Sequence, residues 1–471
     1  MVGIVAYGAY IPLYRLGKET SGYNGTSERA VASFDEDSVT MAVAAVKDCL
    51  KGIDPSTIDG LYFASTTSPY SEKQISPLIA ASLSLSTNII TMDCGNSVRA
   101  GTAAMISAFD AVKAGSARNI VVVAADRRFA PPHSTLETTL GDGAAAFIVG
   151  NAENVSLTLE HKYSVSDEIL DFWRAEGEEF VSTWEDRFMY DEGYNRVFKQ
   201  AVSDMLAKNN SSPADFTKAV LYAPDKRRHT VMAKELGFGS QQVVDSLFSS
   251  VGNTGTAFAL MMLIEVLENA KAGERILLGN YGNGADILEL TVRQGVEACK
   301  NRPGLKGIKK HLVSKSVIRE YDSYAQSRGW LMGDNPRRPQ RIEPSCSAIW
   351  RRRLEIIGLH GVKCKNCGYV QYPRQRVCTS CHTKDDFEDY IFSDKKAEIF
   401  TYTIDYLETD FGIPKVPTVI DFKKGGRMVA EMAEFDLDKL QIGLPVEMSF
   451  RKLYTRAAVH NYFWKCIPLR D

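Results

Sequence analysis

The feature that most constrains the fold is an internal repeat in the first 295 residues. Residues 42–64 run from a helical pattern through a proline turn into a strand that ends in Leu-Tyr, and residues 201–223 follow the same order. Further along, the text R-A-G-T-A at 99–103 parallels N-T-G-T-A at 253–257. Two α/β halves of about 150 residues each predict a layered α/β fold with pseudo-two-fold symmetry and helices between sheets.

One stretch of the first half, residues 88–105, brings a strand directly into a helix. Ile89, Ile90 and Thr91 favour a buried strand, and small residues lead from it into the helical pattern of 101–113. At such a turn the helix dipole and free N–H groups favour negative charge, and many α/β enzymes place a nucleophile there. Cys94 lies near this turn, but the register predicts that it is not the residue at the turn.

Length and charge narrow the class of protein. A chain of 471 residues predicts at least two domains. Its net charge of −2 argues against nucleic acid as the main partner. We expect no membrane partner, because no apolar run reaches the length of a membrane span and the N-terminus lacks the pattern of a signal peptide. Nine cysteines, four of them with metal spacing, indicate a reducing, cytoplasmic compartment.

Two C-x2-C pairs predict a zinc site. Cys364 and Cys367 form the first pair, and Cys378 and Cys381 follow after ten residues. Four thiolates suit one tetrahedral Zn²⁺ and leave no open coordination position, so the predicted metal is structural. His382 adjoins the second pair and is either a substitute ligand or a bystander.

The last third of the chain predicts a separate organisation. Residues 296–345 are rich in Lys, Arg, Gly and Pro, which favours a linker. Residues 346–390 predict a helix and the zinc ribbon. Residues 391–471 contain short alternating strands, which indicate a small OB-type β-barrel. OB-folds also bind oligonucleotides, but this region lacks a dense basic and aromatic stripe.

The glycine-rich motifs carry a family resemblance. The first 295 residues resemble the thiolase superfamily, in particular 3-hydroxy-3-methylglutaryl-CoA synthases and ketoacyl synthase III enzymes. The resemblance implies a duplicated α/β/α/β/α fold with repeats at about 1–150 and 151–295, a coenzyme A thioester as substrate, and a homodimer. The C-terminal region resembles the zinc-ribbon and OB-fold domain that accompanies such enzymes, fused or as a separate subunit. The matching motifs are 100–105 (A-G-T-A-A-M), 141–146 (G-D-G-A-A-A), 252–255 (G-N-T-G), 272–278 (A-G-E-R-I-L-L) and 281–284 (Y-G-N-G).

The catalytic positions that the resemblance implies depart from the family pattern. The position of the acyl-accepting cysteine is Val98, and the position of the glutamate base is Thr66. The position of the histidine is Tyr222, whereas the asparagine is kept as Asn253. A valine cannot accept an acyl group, and a threonine cannot serve as a carboxylate base.

These departures leave three hypotheses for a C–C bond reaction beside a CoA thioester. A condensing acyltransferase, like the synthase, requires that Cys94 act at a remodelled turn. An aldolase on a β-hydroxyacyl-CoA uses Tyr222 as a hydrogen-bond or proton donor and needs no covalent cysteine. A non-catalytic acyl-CoA-binding scaffold supports an active thiolase-like paralogue.

A basic stretch follows Tyr222. Lys226, Arg227 and Arg228 are candidates for the phosphates of CoA, or they form a solvated turn. His229 either replaces the lost histidine from the next helix or lies at the surface, facing the CoA phosphates.

Overall fold

The computed structural model describes residues 1–331, 343–410 and 413–470. The chain divides into two compact units. The first comprises Met1–Ala32, Asp37–Pro77 and Asn88–Tyr321. The second, here called the C-terminal unit, comprises Ser33–Glu36, Leu78–Thr87 and Asp322–Asp471.

Helices and strands alternate through the first unit, and short strands dominate the second. The helices are α1 (Ser38–Cys49), α2 (Ser76–Ser82), α3 (Ala100–Lys113), α4 (Asp186–Phe188), α5 (Arg196–Lys208), α6 (Lys226–Glu235), α7 (Leu247–Ser250), α8 (Phe258–Leu267), α9 (Val296–Lys300), α10 (Gly307–Val313), α11 (Tyr321–Ser327), α12 (Cys346–Arg351) and α13 (Arg353–Ile356). The strands are β1 (Val2–Tyr10), β2 (Tyr14–Leu16), β3 (Arg29–Val31), β4 (Gly60–Ala64), β5 (Ile90–Cys94), β6 (Asn119–Asp126), β7 (Gly143–Asn151), β8 (Leu157–Ser166), β9 (Phe172–Trp173), β10 (Ser182–Thr183), β11 (Lys218–Leu221), β12 (Arg275–Tyr281), β13 (Gly284–Val292), β14 (Ser316–Val317), β15 (His360–Cys364), β16 (Val370–Gln371), β17 (Phe387–Ile391), β18 (Lys396–Tyr402), β19 (Asp405–Asp410), β20 (Ile413–Lys415), β21 (Pro417–Phe422), β22 (Arg427–Glu431), β23 (Pro445–Arg456) and β24 (Val459–Pro468).

Strand pairing in the first unit repeats itself. Among the described residues, its main sheet has the order β11-β12-β13-β8-β1-β7-β6-β4-β5. The parallel pair β4–β6 continues antiparallel into β7 and β1, and the parallel pair β11–β12 continues antiparallel into β13 and β8. Each half therefore builds the same arrangement, as the internal repeat and the predicted fold class require.

Two helices form the centre of the first unit. Nearly every residue of α8 is buried, which is the pattern of a helix covered on all sides. The α3 helix approaches it closely at Gly101, where a Cβ would come within 2.4 Å of the Thr256 carbonyl oxygen. Since 99–103 and 253–257 are the paired repeat motifs, the repeat delivers both helix starts to one place.

The stretch expected to be a linker contains regular structure up to Ser327. Helices α9, α10 and α11 and strand β14 lie within it, and residues 332–342 fall outside the described residues. The start of α10 is held by two carboxylates: Asp48 accepts amides at 2.7 and 3.0 Å, and Glu268 accepts one at 2.6 Å. Local composition did not reveal these long-range caps.

The C-terminal unit contains a three-stranded sheet and a five-stranded sheet. One has the order β16-β15-β17; Cys364 ends its central strand β15, and the other three zinc-ligand cysteines lie in the loops between its strands. The other has the order β22-β21-β18-β23-β24, and a parallel bridge from Met432 to Cys466 joins its two ends. This order is compatible with the predicted OB-type barrel. In the described part of the chain, no helix has the length and apolar character needed to span a bilayer.

Candidate active site and zinc site

Val98 lies in the turn between β5 and α3. The strand ends at Cys94, the helix begins at Ala100, and the Val98 side chain packs partly buried against the core. Gly282 lies over this turn, because a Cβ there would come within 2.6 Å of Ser97 Oγ and 2.9 Å of Val98. The turn therefore presents an alkyl side chain, which cannot form an acyl-enzyme.

Cys94 belongs to the strand that precedes the turn. It pairs with Ala64 of β4, and its carbonyl accepts the Ser65 N–H at 3.0 Å. Burial, followed by the charge of Asp93, raises the pKa of the Cys94 thiol above its ordinary value. Since the thiolate is the nucleophile, these surroundings disfavour a reactive cysteine.

Tyr222 and Asn253 form a hydrogen-bonded pair. Tyr222 directly follows β11 and is 4% exposed. Asn253 Nδ2 donates to Tyr222 Oη at 3.0 Å, and Asn253 Oδ1 accepts the Gly255 N–H at 2.9 Å. Because the amide donates to the phenol oxygen, the phenol proton remains available for a third group, such as a substrate oxygen.

The surroundings of Tyr222 keep its phenol protonated. Burial raises the pKa of Tyr222 above its ordinary value, and the charge of Arg128 and the Asn253 hydrogen bond oppose this rise. The charges of Asp171 and Asp126 add to it. At neutral pH the phenol is therefore a hydrogen-bond donor or acid, not a base.

Asp126 connects the Thr66 loop to the Asn253 loop. It ends β6, is fully buried, and accepts the Thr66 N–H at 2.7 Å and the Thr67 hydroxyl at 3.0 Å through Oδ1. Its Oδ2 accepts the Thr256 N–H at 2.8 Å. The Thr66 hydroxyl itself is buried without a hydrogen-bond partner among the described residues. Sequence reasoning missed Asp126, although a single acid at the end of an apolar strand was a usable signal.

Asp171 is a second carboxylate that sequence reasoning missed, although a single acid between Ile169-Leu170 and Phe172-Trp173 was a usable signal. It is 5% exposed and accepts the Phe172 N–H at 2.7 Å. Burial raises the pKa of Asp171, and the charge of Arg128 opposes the rise. Burial and then the charge of Asp171 raise the pKa of Tyr281 in turn. The charges of Asp126 and Asp171 therefore act on the Tyr222 phenol, and the charge of Asp171 also acts on the Tyr281 phenol.

A π-helix at Met189–Asn195 supports both phenols. Such segments are frequent at functional sites. The Tyr194 hydroxyl donates to the Tyr222 carbonyl at 2.8 Å, and its ring meets Tyr281 edge-on at 5.4 Å. Gly193 leaves room for the Tyr281 hydroxyl, since a Cβ there would come within 2.8 Å of it.

His229 is not at the surface, and this expectation was wrong. It is fully buried on the same face of α6 as Met232 and Ala233, and burial lowers its pKa to about 4. Its ring lies 4.8 Å from Phe248, which in turn lies 4.7 Å from Phe258 beside Tyr222. The His229 ring is therefore linked to the Tyr222 ring only through the rings of Phe248 and Phe258 in this chain of contacts.

The basic residues before His229 differ in their partners. Lys226 pairs with Asp245 at 3.3 Å, and Arg228 pairs with Asp225, the N-cap of α6. Arg227 is exposed and has no ion-pair partner in the described part of the chain. Of the three, Arg227 has the charge most available to a ligand phosphate.

The four predicted cysteines converge as a metal site. Their ligand atoms all lie within 4.8 Å of one another, with Cys364 to Cys381 and Cys367 to Cys378 at 3.6 Å. This sulfur set fits one tetrahedral Zn²⁺, which would stabilise the fold without a position for substrate.

The two cysteine pairs form matching turns. Gly368 N–H donates to the Cys364 carbonyl at 2.9 Å, and His382 N–H donates to the Cys378 carbonyl at 3.0 Å. Gly368 and His382 both have positive φ, at +75° and +60°. His382 therefore serves as a turn residue.

Comparison with known proteins assigns the two regions separately. Residues 92–164 match the model of 3-oxoacyl-[acyl-carrier-protein] synthase III, and residues 359–388 match the rubredoxin-like zinc ribbon domain of ChsH2. The chain is 32% identical over 346 residues to hydroxymethylglutaryl-CoA synthase of Aeropyrum pernix, spanning 70% of this chain and 95% of that protein. It is 31% identical over 350 residues to the Methanocella arvoryzae enzyme of that name, spanning 71% and 99%.

The chain belongs to the hydroxymethylglutaryl-CoA synthase family.

Solved structures show the same fold. MvaS in complex with 3-hydroxy-3-methylglutaryl coenzyme A matches with a TM-score of 0.62 at 21% identity, covering 73% of this chain and 94% of that one. The synthase III of Aquifex aeolicus matches at 0.54 and 19% identity, covering 62% and all of that chain. The predicted family and fold class are confirmed. Because the chain belongs to the synthase family, Val98, Thr66 and Tyr222 are substitutions at the positions that the family resemblance assigns to catalysis.

Proposed function

We propose that this chain makes or breaks a carbon–carbon bond beside the thioester of an acyl-CoA, with Tyr222 at the reacting oxygen and without an acyl-cysteine. Family membership supports the substrate class and the C–C bond chemistry. The observation that carries the mechanism is the Tyr222–Asn253 pair, together with an alkyl side chain at the turn.

The proposed reaction is aldol cleavage of a β-hydroxyacyl-CoA, or its reverse. In cleavage, a base takes the proton of the β-hydroxyl, the Cα–Cβ bond breaks, and its electron pair forms the thioester enolate. A carbonyl product leaves, and the enolate is protonated at Cα. The Tyr222 phenol donates a hydrogen bond to the thioester oxygen, where negative charge develops.

Asp171 is the carboxyl that we assign as base. Asp126 already accepts four hydrogen bonds from neutral donors, so both of its oxygens are engaged within the protein. Burial, in contrast, raises the pKa of Asp171. A base with a pKa moved towards neutrality suits proton transfer.

The CoA phosphates are assigned to the basic start of α6, with Arg227 as the main contact. Lys226 and Arg228 are already ion-paired, so they attract the phosphates through their positive charge more than through direct hydrogen bonds.

We also propose that the protein forms a homodimer through β5. Strand β5 is the edge of the main sheet and has exposed residues, including Ile90 at 43%. Among the described residues the cysteines form no disulfide, which supports a cytoplasmic location.

Two other functions keep an observation in their favour. Family membership favours a condensing acyltransferase, which would need Cys94 to reach the reacting carbon. The replaced family positions at Val98, Thr66 and Tyr222 favour an acyl-CoA-binding scaffold for a thiolase-like paralogue.

The deciding experiment is a cleavage assay on a panel of β-hydroxyacyl-CoAs, with released acyl-CoA and carbonyl product measured by mass spectrometry. Cleavage by the wild type that persists in Cys94→Ala supports the aldolase. Turnover only in the condensing direction, abolished in Cys94→Ala, supports the acyltransferase. Binding of acyl-CoA without turnover in either direction supports the scaffold.

A further inference from the structure

The C-terminal unit contains a buried charge cluster that the proposed reaction does not use. Arg451 of β23 and Lys465 of β24 are 1% and 2% exposed. Arg451 pairs with Glu434, and Lys465 pairs with Glu431, each at 2.5 Å. Charged side chains are almost never buried to this degree unless they are paired.

A short acidic segment provides the remaining carboxylates. Asp35 lies 3.3 Å from Arg451 Nη1 and 3.0 Å from Lys465 Nζ. Glu36 lies 3.0 Å from Arg451 Nη1. Both acids are 1% exposed, so water contributes little to their solvation and these cations provide most of it.

The aromatic ring and the backbone of this segment are also bound. Lys465 Nζ lies 5.3 Å from the centre of the Phe34 ring, within the range of a cation–π contact. The Asp35 carbonyl accepts the Lys452 N–H at 2.9 Å, which ties the segment to β23. The Ser33 N–H donates to Glu36 at 2.8 Å, so the segment forms a compact turn.

The segment consists of four residues, Ser33–Glu36, that belong to the C-terminal unit. Residues up to Ala32 and from Asp37 belong to the first unit along the chain. The contacts that Phe34, Asp35 and Glu36 make with Arg451, Lys465 and Lys452 use their side chains and the Asp35 carbonyl. Recognition of this kind depends on the peptide's chemistry and does not require covalent continuity with the receptor.

We propose that Arg451, Lys465 and the Lys452 N–H form a recognition surface for a Phe-Asp-Glu segment, which Phe34–Glu36 of this chain occupies. The guanidinium of Arg451 serves more than one carboxylate, as its fixed set of donors allows. Lys465 contacts both the Phe34 ring and the Asp35 carboxylate. The ligand class is an acidic peptide with an aromatic residue directly before its acids.

The charge state of the segment agrees with this surface. Burial alone would raise the pKa of Asp35, but the charges of Lys465 and Arg451 outweigh burial and hold it below its usual value. The Asp35 carboxylate is therefore ionised at neutral pH. A peptide with amides in place of both acids keeps the shape but loses the charges.

The test uses the full-length protein with Asp35→Asn and Glu36→Gln, and a fluorescent peptide of residues 31–38. We expect this peptide to bind the double variant and to lose affinity as NaCl is raised. The matched peptide with both acids replaced by amides should bind at least about tenfold more weakly. The wild type should bind neither, because its own segment fills the surface.

A control variant addresses the other early segment of this unit. Ser84→Ala removes the 2.7 Å hydrogen bond between Ser84 Oγ and His360 Nε2, and it should not create peptide binding. Equal binding of the acidic and amide peptides, or no binding by a folded double variant with full zinc content, would overturn the proposal. If the double variant does not fold, hydrogen exchange of Glu36→Gln replaces it. Faster exchange confined to residues 33–36 and their β23 contact is expected, and unchanged exchange overturns the proposal.

Discussion

Removing a single oxygen tests the assigned role of Tyr222. In Tyr222→Phe, Asn253 Nδ2 loses its acceptor at 3.0 Å but keeps the Ala223 carbonyl at 3.3 Å. Because the amide stays partly satisfied, we expect a stability loss of about 1 kcal/mol. The ring volume is unchanged, so the edge-on packing on Phe258 persists.

The loss in rate should be much larger than the loss in stability. A donor that acts on the developing enolate typically contributes about 10²- to 10⁴-fold, so kcat should fall by that factor. KM should change little, because the phenol acts mainly in the transition state. The assay is initial-rate release of acyl-CoA from the best β-hydroxyacyl-CoA, with thermal unfolding measured in parallel.

Tyr194→Phe is the matched control. It also removes one buried hydroxyl, but that hydroxyl donates to the Tyr222 main chain at 2.8 Å. We expect a stability cost of about 1–2 kcal/mol with kcat reduced only a few-fold. Equal losses of kcat in the two variants would refute the assignment of Tyr222 as the donor, since both would then act through stability alone.

Glu268, the zinc site and the turn before α3 can each be tested by one substitution. Burial raises the pKa of Glu268 from 4.5 to about 7, so the native state binds the extra proton and unfolding free energy falls as pH rises through that interval. Glu268→Gln should therefore stabilise the protein at pH 8, by at most about 3 kcal/mol, and leave it nearly unchanged at pH 4, as measured by urea unfolding; stabilisation of equal size at both pH values would contradict this. Zinc analysis should give one ion per chain, and Cys378→Ser should lose it, with faster hydrogen exchange in β15–β17 and an intact first unit; retained zinc would contradict the site. In V98C, the introduced thiol should react with iodoacetamide faster than Cys94, because it lies at the start of α3; slower reaction would contradict the position of the turn.

Features encoded in local patterns were predictable from the sequence. The repeat indicated a two-half α/β fold, and the spacing of four cysteines indicated the zinc site. The register placed Val98, and not Cys94, at the turn. These inferences work because strand and helix periodicity and ligand spacing are properties of short segments.

Features set by long-range contacts were not predictable. The basic text before His229 suggested exposure, but its helix face is covered by Phe248. Asp171 lies fifty or more residues from Tyr222 and Tyr281 in the sequence, and only the folded chain brings its charge to them. The Asp48 cap of α10 and the ion pairs of Asp35 with Arg451 and Lys465 join residues hundreds of positions apart.

C–C bond chemistry without an acyl-cysteine leaves the protein mass unchanged during turnover, which intact-protein mass spectrometry measures. Wild type and Cys94→Ala are mixed with acetyl-CoA, or with the best β-hydroxyacyl-CoA, and quenched within a single turnover. We expect both variants to form product while their protein mass stays unmodified. An added acyl mass on the wild type that is absent from Cys94→Ala would contradict it.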